Sequence, residues 1–214
     1  MEEASLPEPQ PGEICIRLLT ASAAFTDALI CKGIYPATRG EKFPYSLGYD
    51  LVGIVDKLGK DVTKFEVGQK VAELTVIGAY SEYICLHEDR LVPVPEELAP
   101  AEAVSMILSY ITAYQMLHRL AEIQKGQRIL VNGASGAVGT VLLQLGQLLD
   151  LEMFGTGSTA KQDLIASLGA TPIDYKTENF AERIRSMTDD GIAICTELFL
   201  PISVIEVLFH RASA

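Results

Sequence analysis

The stretch that most constrains the fold of this chain is residues 128–139, which read RILVNGASGAVG. It begins with an apolar run typical of a buried strand and continues with three glycines, Gly133, Gly136 and Gly139. An apolar segment with helical spacing, residues 141–149, comes next. This order predicts a strand, a tight glycine turn and a helix whose first N–H groups can bind a phosphate group.

Each glycine in this turn has an expected role. Gly133 and Gly136 should form the turn and let a pyrophosphate approach the backbone, and Gly139 should let the helix pack on the strand. Because a strand and a helix flank the glycines, the segment predicts dinucleotide binding. The candidate residues are Asn132, Gly133, Ser135, Gly136, Ala137, Val138 and Gly139. The alternative is a glycine-rich turn in an ordinary α/β unit.

Length and charge limit the classes of partner. The 214 residues leave room for one large or two small domains, and the formal net charge is -11. Lys and Arg are scattered, which argues against nucleic acid and anionic membrane surfaces as partners. No apolar stretch reaches the roughly 18 residues of a membrane span. The N-terminal segment MEEASLPEPQPGE is acidic and proline-rich, unlike a targeting peptide, so we expect a cytoplasmic protein.

The cysteines and histidines show no metal-binding pattern. Cys15, Cys31, Cys85 and Cys195 form no CxxC pair, and the three histidines are spread along the chain. No zinc-ligand spacing results, so we expect no metal site. The cysteines are expected to be reduced and to have structural roles.

Residues 1–98 are predicted to form a β-rich domain resembling a small barrel. Short strands are expected at 14–19, 51–59, 69–76 and, as a pair, within 80–95, with helical character around Phe25–Cys31. From residue 99 to 214 helices and strands alternate, which predicts a parallel sheet with right-handed crossovers. The expected elements are helix 101–123, strand 128–132, helix 137–149, strand 151–156, helix 160–168 ending at Gly169, strand 171–174 and helix 178–187.

The second strand of the predicted nucleotide site favours one cofactor. A strand in this position usually ends in an acid when the ribose 2′-hydroxyl is bound. Here it leads into Ser158, with Lys161 three residues later and no acid between them. A hydroxyl and a cation suit a 2′-phosphate, so NADP(H) is favoured over NAD(H). The alternatives are a solvated surface role for Lys161 and an N-cap role for Ser158 at helix 160–168.

Ordered matches along the chain carry a family resemblance. They are PGEICIRLLTASAAFTDALICKGIYP (11–36), PYSLGYDLVGIVDKLGKDVTKFEVGQKVAEL (44–74), GAYSEY (78–83), LSYITAYQML (108–117), NGASGAVGTVLLQLG (132–146) and KQDLIASLGATPIDYKTENF (161–180). Over about residues 11–191 the chain resembles the zinc-independent branch of the medium-chain dehydrogenase/reductase family, the quinone oxidoreductase and enoyl-reductase-like proteins. The resemblance implies an N-terminal GroES-like barrel, a C-terminal Rossmann domain and a substrate site between them.

Three further residues receive roles from the resemblance. It implies that Thr112 lies near the nicotinamide and Tyr175 near the adenosine 2′-phosphate. In the stretch Gly33-Ile34-Tyr35-Pro36, it makes Tyr35 a candidate proton donor. Thr112 could instead be a helix-interior residue, Tyr175 a buried strand-end aromatic, and Tyr35 an aromatic that only packs a turn.

The resemblance also implies that no metal is bound. Zinc-dependent relatives have a cysteine and a histidine where this chain has Ala24 and Tyr49. The four-cysteine lobe that binds structural zinc in those relatives is absent as well. NADPH is therefore the one expected cofactor.

The two ends of the chain depart from the family pattern. The chain begins close to the family's PxPGE segment, so the usual first strands are missing. After Asp190 and Gly191 the pattern breaks, and residues 192–214 form a divergent tail. We therefore expect a truncated chain with an incomplete Rossmann domain. Loss of the second half of its sheet would uncover the apolar face of strand 128–132 and expose a sheet edge and a large apolar surface, unless a partner covers them.

The resulting functional expectation is an NADPH-dependent oxidoreductase. It would transfer hydride to a quinone, an enone or a similar conjugated carbonyl without zinc. The expected partner is a small carbonyl substrate, and a homodimer is expected if the chain folds. The alternative is a truncated, catalytically inactive variant that binds nucleotide or pairs with an intact relative. An unrelated structural protein with a chance glycine turn would not explain the ordered matches.

Overall fold

The structure is a computed structural model that describes residues 5–38, 40, 44–188, 191–192 and 194–196. It divides into two compact units, Met1–Leu108 and Ser109–Ala214. The boundary falls within a helix, α2 (Pro100–Tyr114). The domain boundary after residue 98 that the sequence suggests stays a prediction.

The N-terminal unit is built on one antiparallel sheet. Its strands are β1 (Glu13–Ala21), β2 (Leu51–Leu58), β3 (Lys70–Glu73), β4 (Tyr83–His87) and β5 (Val92–Pro93), in the order β4-β1-β2-β3-β5. Helix α1 (Phe25–Cys31) follows β1, as expected. Alternate residues of β1, including Ile14 and Ile16, pack with Leu51, Val55 and other apolar side chains into one core. The predicted β-rich class of this unit is confirmed.

Two elements are shorter than the sequence predicts, one strand in the N-terminal unit and the helix that contains the unit boundary. Strand 69–76 ends at Glu73, because Val76 has a φ of +73°, which extended backbone does not allow. Helix 101–123 is α-helical only as far as Tyr114, and one π-helical turn, Gln115–Leu120, completes it. Apolar spacing does not separate these two helix types, since both bury one face.

The C-terminal unit is an α/β unit with a parallel sheet. Its elements are β6 (Arg128–Val131), α3 (Ala137–Leu148), β7 (Glu152–Gly157), α4 (Gln162–Ser167), β8 (Thr171–Asp174), α5 (Phe180–Met187) and β9 (Ile194–Thr196). The strand order is β8-β7-β6-β9, and every pairing is parallel. The predicted partial Rossmann sheet is therefore confirmed. One turn of 3-10 helix, Thr159–Lys161, precedes α4, so the regular helix begins later than predicted.

Apolar layers cover both faces of this sheet. On one face Ile129 and Val131 pack with Leu117, Leu142 and Leu143. On the other face the core consists of Leu130, Phe154, Ile173, Ile184 and Ile192. Burial on both faces explains why β6 reads as an apolar run without polar alternation.

The expectation that the apolar face of strand 128–132 is uncovered is wrong, because Ile129, Leu130 and Val131 are fully buried. Residues from the start of the divergent tail form β9, in which Leu130 pairs with Cys195 and Val131 with Thr196. The Thr196 hydroxyl also donates a hydrogen bond to the Leu130 carbonyl oxygen, at 3.2 Å. β6 therefore lies between β7 and β9 and pairs in parallel with both. The rest of the tail, residues 197–214, lies outside the described residues.

None of the helices within the described ranges has the length and apolar character needed to cross a membrane.

Candidate functional site

The glycine turn after β6 has the predicted form. Gly133 has a φ of +64°, a conformation that favours glycine, and Gly136 is the N-cap residue of α3. A Cβ atom on Gly139 would lie 2.4 Å from the Gly133 carbonyl oxygen and 2.8 Å from Cα of Ala134. Gly139 thus allows α3 to approach the turn closely, which confirms the packing role that the sequence predicts for it.

Thr156, on the neighbouring strand β7, holds the turn in place. Its hydroxyl accepts the Gly133 N–H at 3.1 Å and donates to the Asn132 side-chain oxygen at 3.0 Å, while its carbonyl accepts the Ala134 N–H at 2.9 Å. The Asn132 amide nitrogen in turn donates to Sγ of Cys195 in β9, at 3.6 Å. Asn132 therefore links three strand ends through its side chain, a structural role that the sequence did not indicate.

The first turn of α3 presents backbone donors next to this loop. The first N–H of α3 that has an acceptor in the helix is that of Thr140, which donates to the Gly136 carbonyl oxygen at 2.9 Å. By helix geometry, the N–H groups of Ala137, Val138 and Gly139 therefore have no acceptor inside the helix. Ser135 lies half-buried in the turn just before them. Such a group of donors, at the positive end of the helix dipole, binds anions.

The 2′-phosphate candidates follow the carboxyl end of β7. Ser158 is the N-cap residue of the 3-10 turn and adopts extended backbone, as the N-cap alternative expects, although its side chain makes no capping hydrogen bond. Lys161 ends that turn and is exposed to solvent. Within the described residues Lys161 forms no ion pair, which leaves its ammonium group available to an anion.

Tyr175 lies at the carboxyl end of β8, beside the end of β7. Its N–H donates to the Gly157 carbonyl oxygen at 3.3 Å, and 55% of the residue is exposed. The alternative of a buried aromatic at this position is therefore wrong. Because β6, β7 and β8 are parallel, the glycine turn, Ser158 and Tyr175 all lie at the carboxyl ends of the strands.

A buried carboxylate, Asp174, stabilises the loops at this end of the sheet. It accepts the Thr159 hydroxyl at 2.5 Å and the Lys176 N–H at 2.9 Å. These hydrogen bonds, that of Thr159 first, lower the pKa of Asp174 below its usual range. The loop that carries Ser158 and Lys161 is thereby held to the end of β8.

Thr112 lies in the last α-helical turn of α2 and is half-buried. Its neighbour Ala113 is fully buried in the core that contains Val131 and Ala134, and the Tyr110 hydroxyl donates to the Gln144 side chain of α3 at 2.6 Å. This end of α2 therefore belongs to the same unit as the glycine turn.

The N-terminal unit places Tyr35 against Tyr49. Their hydroxyl oxygens are 2.5 Å apart, and their rings meet edge to face with centroids 5.8 Å apart. Burial, followed by the hydrogen bond with Tyr35, raises the pKa of the Tyr49 hydroxyl well above its usual value. Tyr49 thus keeps its proton at any physiological pH. Tyr35 also packs a turn, since its carbonyl accepts the Thr38 hydroxyl at 3.2 Å.

Two buried carboxylates lie near the start of α1. Asp27 accepts the N–H groups of Ala24 and Gly48, at 2.7 and 3.3 Å, and the Tyr80 hydroxyl at 3.1 Å. Burial and then this bond to Asp27 raise the pKa of Tyr80 to about 12. Asp50 is fully buried; one oxygen accepts both donors of Ser22, and the other has no partner among the described residues.

No group of three His, Cys, Asp or Glu side chains in the described part of the chain could hold a metal ion. Ala24 and Tyr49 stand where zinc-dependent relatives have zinc ligands. The Ala24 N–H donates to the Asp27 carboxylate, and the Tyr49 hydroxyl is hydrogen bonded to the Tyr35 hydroxyl. The absence of zinc stays a prediction.

Comparison with known proteins agrees with both units. The model for the alcohol dehydrogenase GroES-like domain matches residues 10–96. A quinone oxidoreductase of Pseudomonas aeruginosa is 35% identical over 185 residues, which are 85% of this chain and 56% of that protein. The human synaptic vesicle membrane protein VAT-1 homolog is 30% identical over 193 residues, 89% of this chain and 49% of that protein.

Solved structures give the same result for the fold. The CurK enoyl reductase superposes with a TM-score of 0.87 at 26% identity, covering 96% of this chain and 64% of that chain. The chain belongs to the medium-chain dehydrogenase/reductase family. Within that family, Escherichia coli quinone oxidoreductase complexed with NADPH superposes with a TM-score of 0.89 at 25% identity, covering 98% of this chain and 65% of that chain.

This member of the medium-chain dehydrogenase/reductase family spans about half the length of the curated relatives it matches. Local sequence patterns indicate the glycine turn but not the residues that hold the site, Thr156 and Asp174, nor the buried carboxylates Asp27 and Asp50 of the N-terminal unit. The one available signal was that Asp174 directly precedes Tyr175 at a predicted strand end.

Proposed function

We propose that the chain is an NADPH-dependent oxidoreductase that reduces a quinone, an enone or a similar conjugated carbonyl without zinc. The observation that carries this proposal is the glycine turn between β6 and α3. Its close approach at Gly139 and its unpaired helical N–H groups are the features that dinucleotide binding requires. The names of the oxidoreductase relatives support the same class.

The residues of the turn fit a pyrophosphate. The N–H groups of Ala137 and Val138, with the exposed backbone of Gly133 and Gly136, would bind the phosphate oxygens, and Ser135 would add a hydroxyl. Thr112 would lie on the nicotinamide side. The nicotinamide cofactor supplies the hydride when bound, and the protein supplies orientation and exclusion of water.

A preference for NADPH over NADH rests on the end of β7. No carboxylate lies between the end of this strand and Lys161, whereas the stretch contains Ser158 and ends in the exposed Lys161. The buried acid at the end of β8, Asp174, is already engaged by the Thr159 hydroxyl and the Lys176 N–H. A cation and a hydroxyl, with the exposed Tyr175 ring beside them, would favour the extra phosphate.

Reduction of a carbonyl or enone also needs a proton, and the tyrosine pair can supply it. Tyr49 retains its proton, so it can donate to the hydroxyl oxygen of Tyr35. In that arrangement the Tyr35 O–H is free to donate to a substrate oxygen or carbon. Tyr35 is therefore our candidate proton donor, with Tyr49 as its positioning residue.

We further propose a cytoplasmic location, a small-molecule substrate and a homodimer as the functional form. Neither nucleic acid nor a membrane is proposed as a partner, because the formal net charge is -11 and the cations are scattered.

The test combines binding and turnover. The purified chain is melted with NADPH and, separately, with NADH at equal concentrations. Saturation at 100 times Kd should stabilise a binder by roughly 2.7 kcal/mol, about 5–10 °C for a chain of this size. NADPH oxidation is then followed with 1,4-benzoquinone and with an enone as acceptors.

A shift with NADPH together with acceptor-dependent NADPH oxidation supports the proposal. A shift without oxidation of NADPH by either acceptor would favour the alternative, an inactive nucleotide-binding variant. A cooperative melt that neither cofactor moves would contradict nucleotide binding altogether.

A further inference from the structure

The two cysteines of the antiparallel sheet lie directly opposite each other. Cys15 in β1 is the register partner of Cys85 in β4. In the sequence they are 70 positions apart, so no spacing pattern connects them. The register, not the sequence, brings them together.

The backbone hydrogen bonds show which kind of pair this is. The Leu18 N–H donates to the Glu82 carbonyl oxygen, and the Glu88 N–H donates to the Gly12 carbonyl oxygen, both at 2.9 Å. Hydrogen-bonded and non-hydrogen-bonded pairs alternate along an antiparallel ladder, so Cys15 and Cys85 form a non-hydrogen-bonded pair. Cα atoms of such pairs lie about 4.5 Å apart and their side chains are closest, within the range that a disulfide spans.

The pair lies on the sheet face opposite the main core of its unit. Ile14, Ile16, Ile84 and Leu86, the neighbours in both strands, point into that core. Cys15 is buried, with 3% exposed, whereas Cys85 is half-buried. Cys85 is therefore the thiol that a small reagent reaches first.

The surroundings of the pair keep both thiols protonated. Burial is the main cause, and the neighbouring carboxylates of Glu8, Glu13 and Asp56 add to it. Together they raise the pKa of Cys15 and raise that of Cys85 to about 12. Because the thiolate is the reactive form, the pair reacts slowly at neutral pH and faster in alkali.

We propose that Cys15 and Cys85 are a redox-modification site, which a low-molecular-weight disulfide such as oxidised glutathione converts reversibly into a cross-strand disulfide. The Cys85 thiolate attacks one sulfur of oxidised glutathione, forms a mixed disulfide and releases one glutathione. The Cys15 thiolate then attacks Sγ of Cys85, forms the Cys15–Cys85 bond and releases the second glutathione. The two cysteine sulfurs are oxidised, the glutathione disulfide is reduced, and the two thiol protons end on the two released glutathiones.

The bond would tie β1 to β4 around the segment that contains the tyrosine pair. Residues 16–84, including Tyr35 and Tyr49, lie between the two cysteines in sequence. Closing a loop of this length restricts the unfolded chain and stabilises the folded one. Both cysteines belong to the N-terminal unit and the glycine turn to the C-terminal unit, so this proposal does not rest on nucleotide binding.

The experiment uses the full chain with the exposed Cys31 replaced, Cys31→Ser, and follows Cys195 by peptide mapping. The protein is equilibrated with oxidised and reduced glutathione at pH 8.5, natively and in urea, then quenched with acid and analysed by mass. We expect the native chain to lose two hydrogens, to give one peptide pair that joins Cys15 and Cys85, and to recover both thiols with dithiothreitol. The oxidised form should melt about 5 °C or more above the reduced form.

The matched control is Cys15→Ala in the same background, which leaves Cys85 without its partner. It should accumulate the mixed disulfide of Cys85 with glutathione and show no rise in melting temperature. If Cys15→Ala does not fold, Cys85→Ser serves as control and should show no intramolecular bond. The proposal is overturned if the native Cys31→Ser chain keeps both thiols or stops at the mixed disulfide. It is also overturned if the disulfide forms less readily in the native chain than in urea.

Discussion

A Cβ atom added to Gly139 would lie 2.4 Å from the carbonyl oxygen of Gly133, six positions earlier in the chain. The two residues belong to the helix and to the turn that together form the candidate nucleotide site. Since the contact is with backbone, no side chain can move to relieve it. Glycine at position 139 therefore allows α3 to lie this close to the end of β6.

Replacing Gly139→Ala should destabilise the C-terminal unit. The new methyl group forces α3 away from the turn, which we expect to cost about 1–3 kcal/mol in the free energy of unfolding. The measurement is urea denaturation followed by circular dichroism. The matched control is Gly146→Ala in the same helix, where the added Cβ would lie 2.3 Å from Sδ of Met153, the end of a flexible side chain. An equal loss in both variants would contradict the backbone-contact argument.

Gly136→Asp should abolish nucleotide binding while preserving the fold. Aspartate is a favourable N-cap residue, but its carboxylate would lie where α3 is proposed to bind the pyrophosphate. We expect the affinity for NADPH and NADH to fall roughly 100-fold or more, measured by titration calorimetry. Gly136→Ala is the steric control, because its Cβ would also lie 3.2 Å from the Gly133 carbonyl oxygen. Unchanged affinity in Gly136→Asp would refute the site.

Lys161→Ala should change cofactor preference. Loss of a charged contact to the 2′-phosphate is expected to weaken NADPH binding about 10- to 100-fold and to leave NADH binding unchanged. Dissociation constants for both cofactors are compared by fluorescence titration. The control is Lys176→Ala, an exposed lysine next to Tyr175. Equal losses for NADPH and NADH in Lys161→Ala would remove Lys161 from the 2′-phosphate role.

Substitutions in the tyrosine pair should distinguish the proton donor from the residue that positions it. If Tyr35 donates the proton, Tyr35→Phe should lower kcat roughly 100-fold or more. Tyr49→Phe keeps the Tyr35 hydroxyl but removes its 2.5 Å partner, so a smaller loss, mainly in kcat, is expected. Steady-state kinetics with NADPH and a benzoquinone provide the measurement. Tyr83→Phe in β4 is the control, and similar kcat values in all three variants would contradict the assignment.

Glu88 should make the N-terminal unit sensitive to acid. This buried carboxylate accepts the N–H groups of Lys64 and Thr63 at 2.8 and 2.9 Å, which lower its pKa below its usual range. A lowered pKa in the folded state stabilises the fold above the unfolded-state pKa, roughly 4.3 for Glu, and this stabilisation is lost as pH falls through the folded-state value.

Glu88→Gln should therefore unfold at lower urea concentration than the unsubstituted chain at pH 7. The difference should begin to shrink as the pH falls below the unfolded-state pKa of Glu, roughly 4.3, and should vanish only below the lowered folded-state pKa of Glu88, where both side chains are uncharged. Urea midpoints at several pH values provide the test, and Glu97→Gln, at an exposed position, is the control. A difference between Glu88→Gln and the unsubstituted chain that stays constant with pH would mean that the charge of Glu88 contributes nothing.

Local patterns in the sequence were enough to predict most of the fold and the turn of the candidate site. Helix α1, strand β8 and the glycine turn after β6 lie where the sequence places them. Each depends on neighbours within a few positions, through propensity, apolar periodicity and the conformational freedom of glycine. The family resemblance depends on the same local stretches, and the comparisons confirm it.

Contacts between distant segments could not be read from these patterns. The pairing of β9 with β6, the bond from Thr159 to Asp174, the Tyr35–Tyr49 contact and the Cys15–Cys85 pair join residues that are 14 to about 70 positions apart. Each arises from strand register or loop closure, which the packing of the whole unit selects. Local periodicity therefore specified the elements and the turn, whereas the residues that hold the site, and the cysteine pair, depend on long-range pairing that no local pattern encodes.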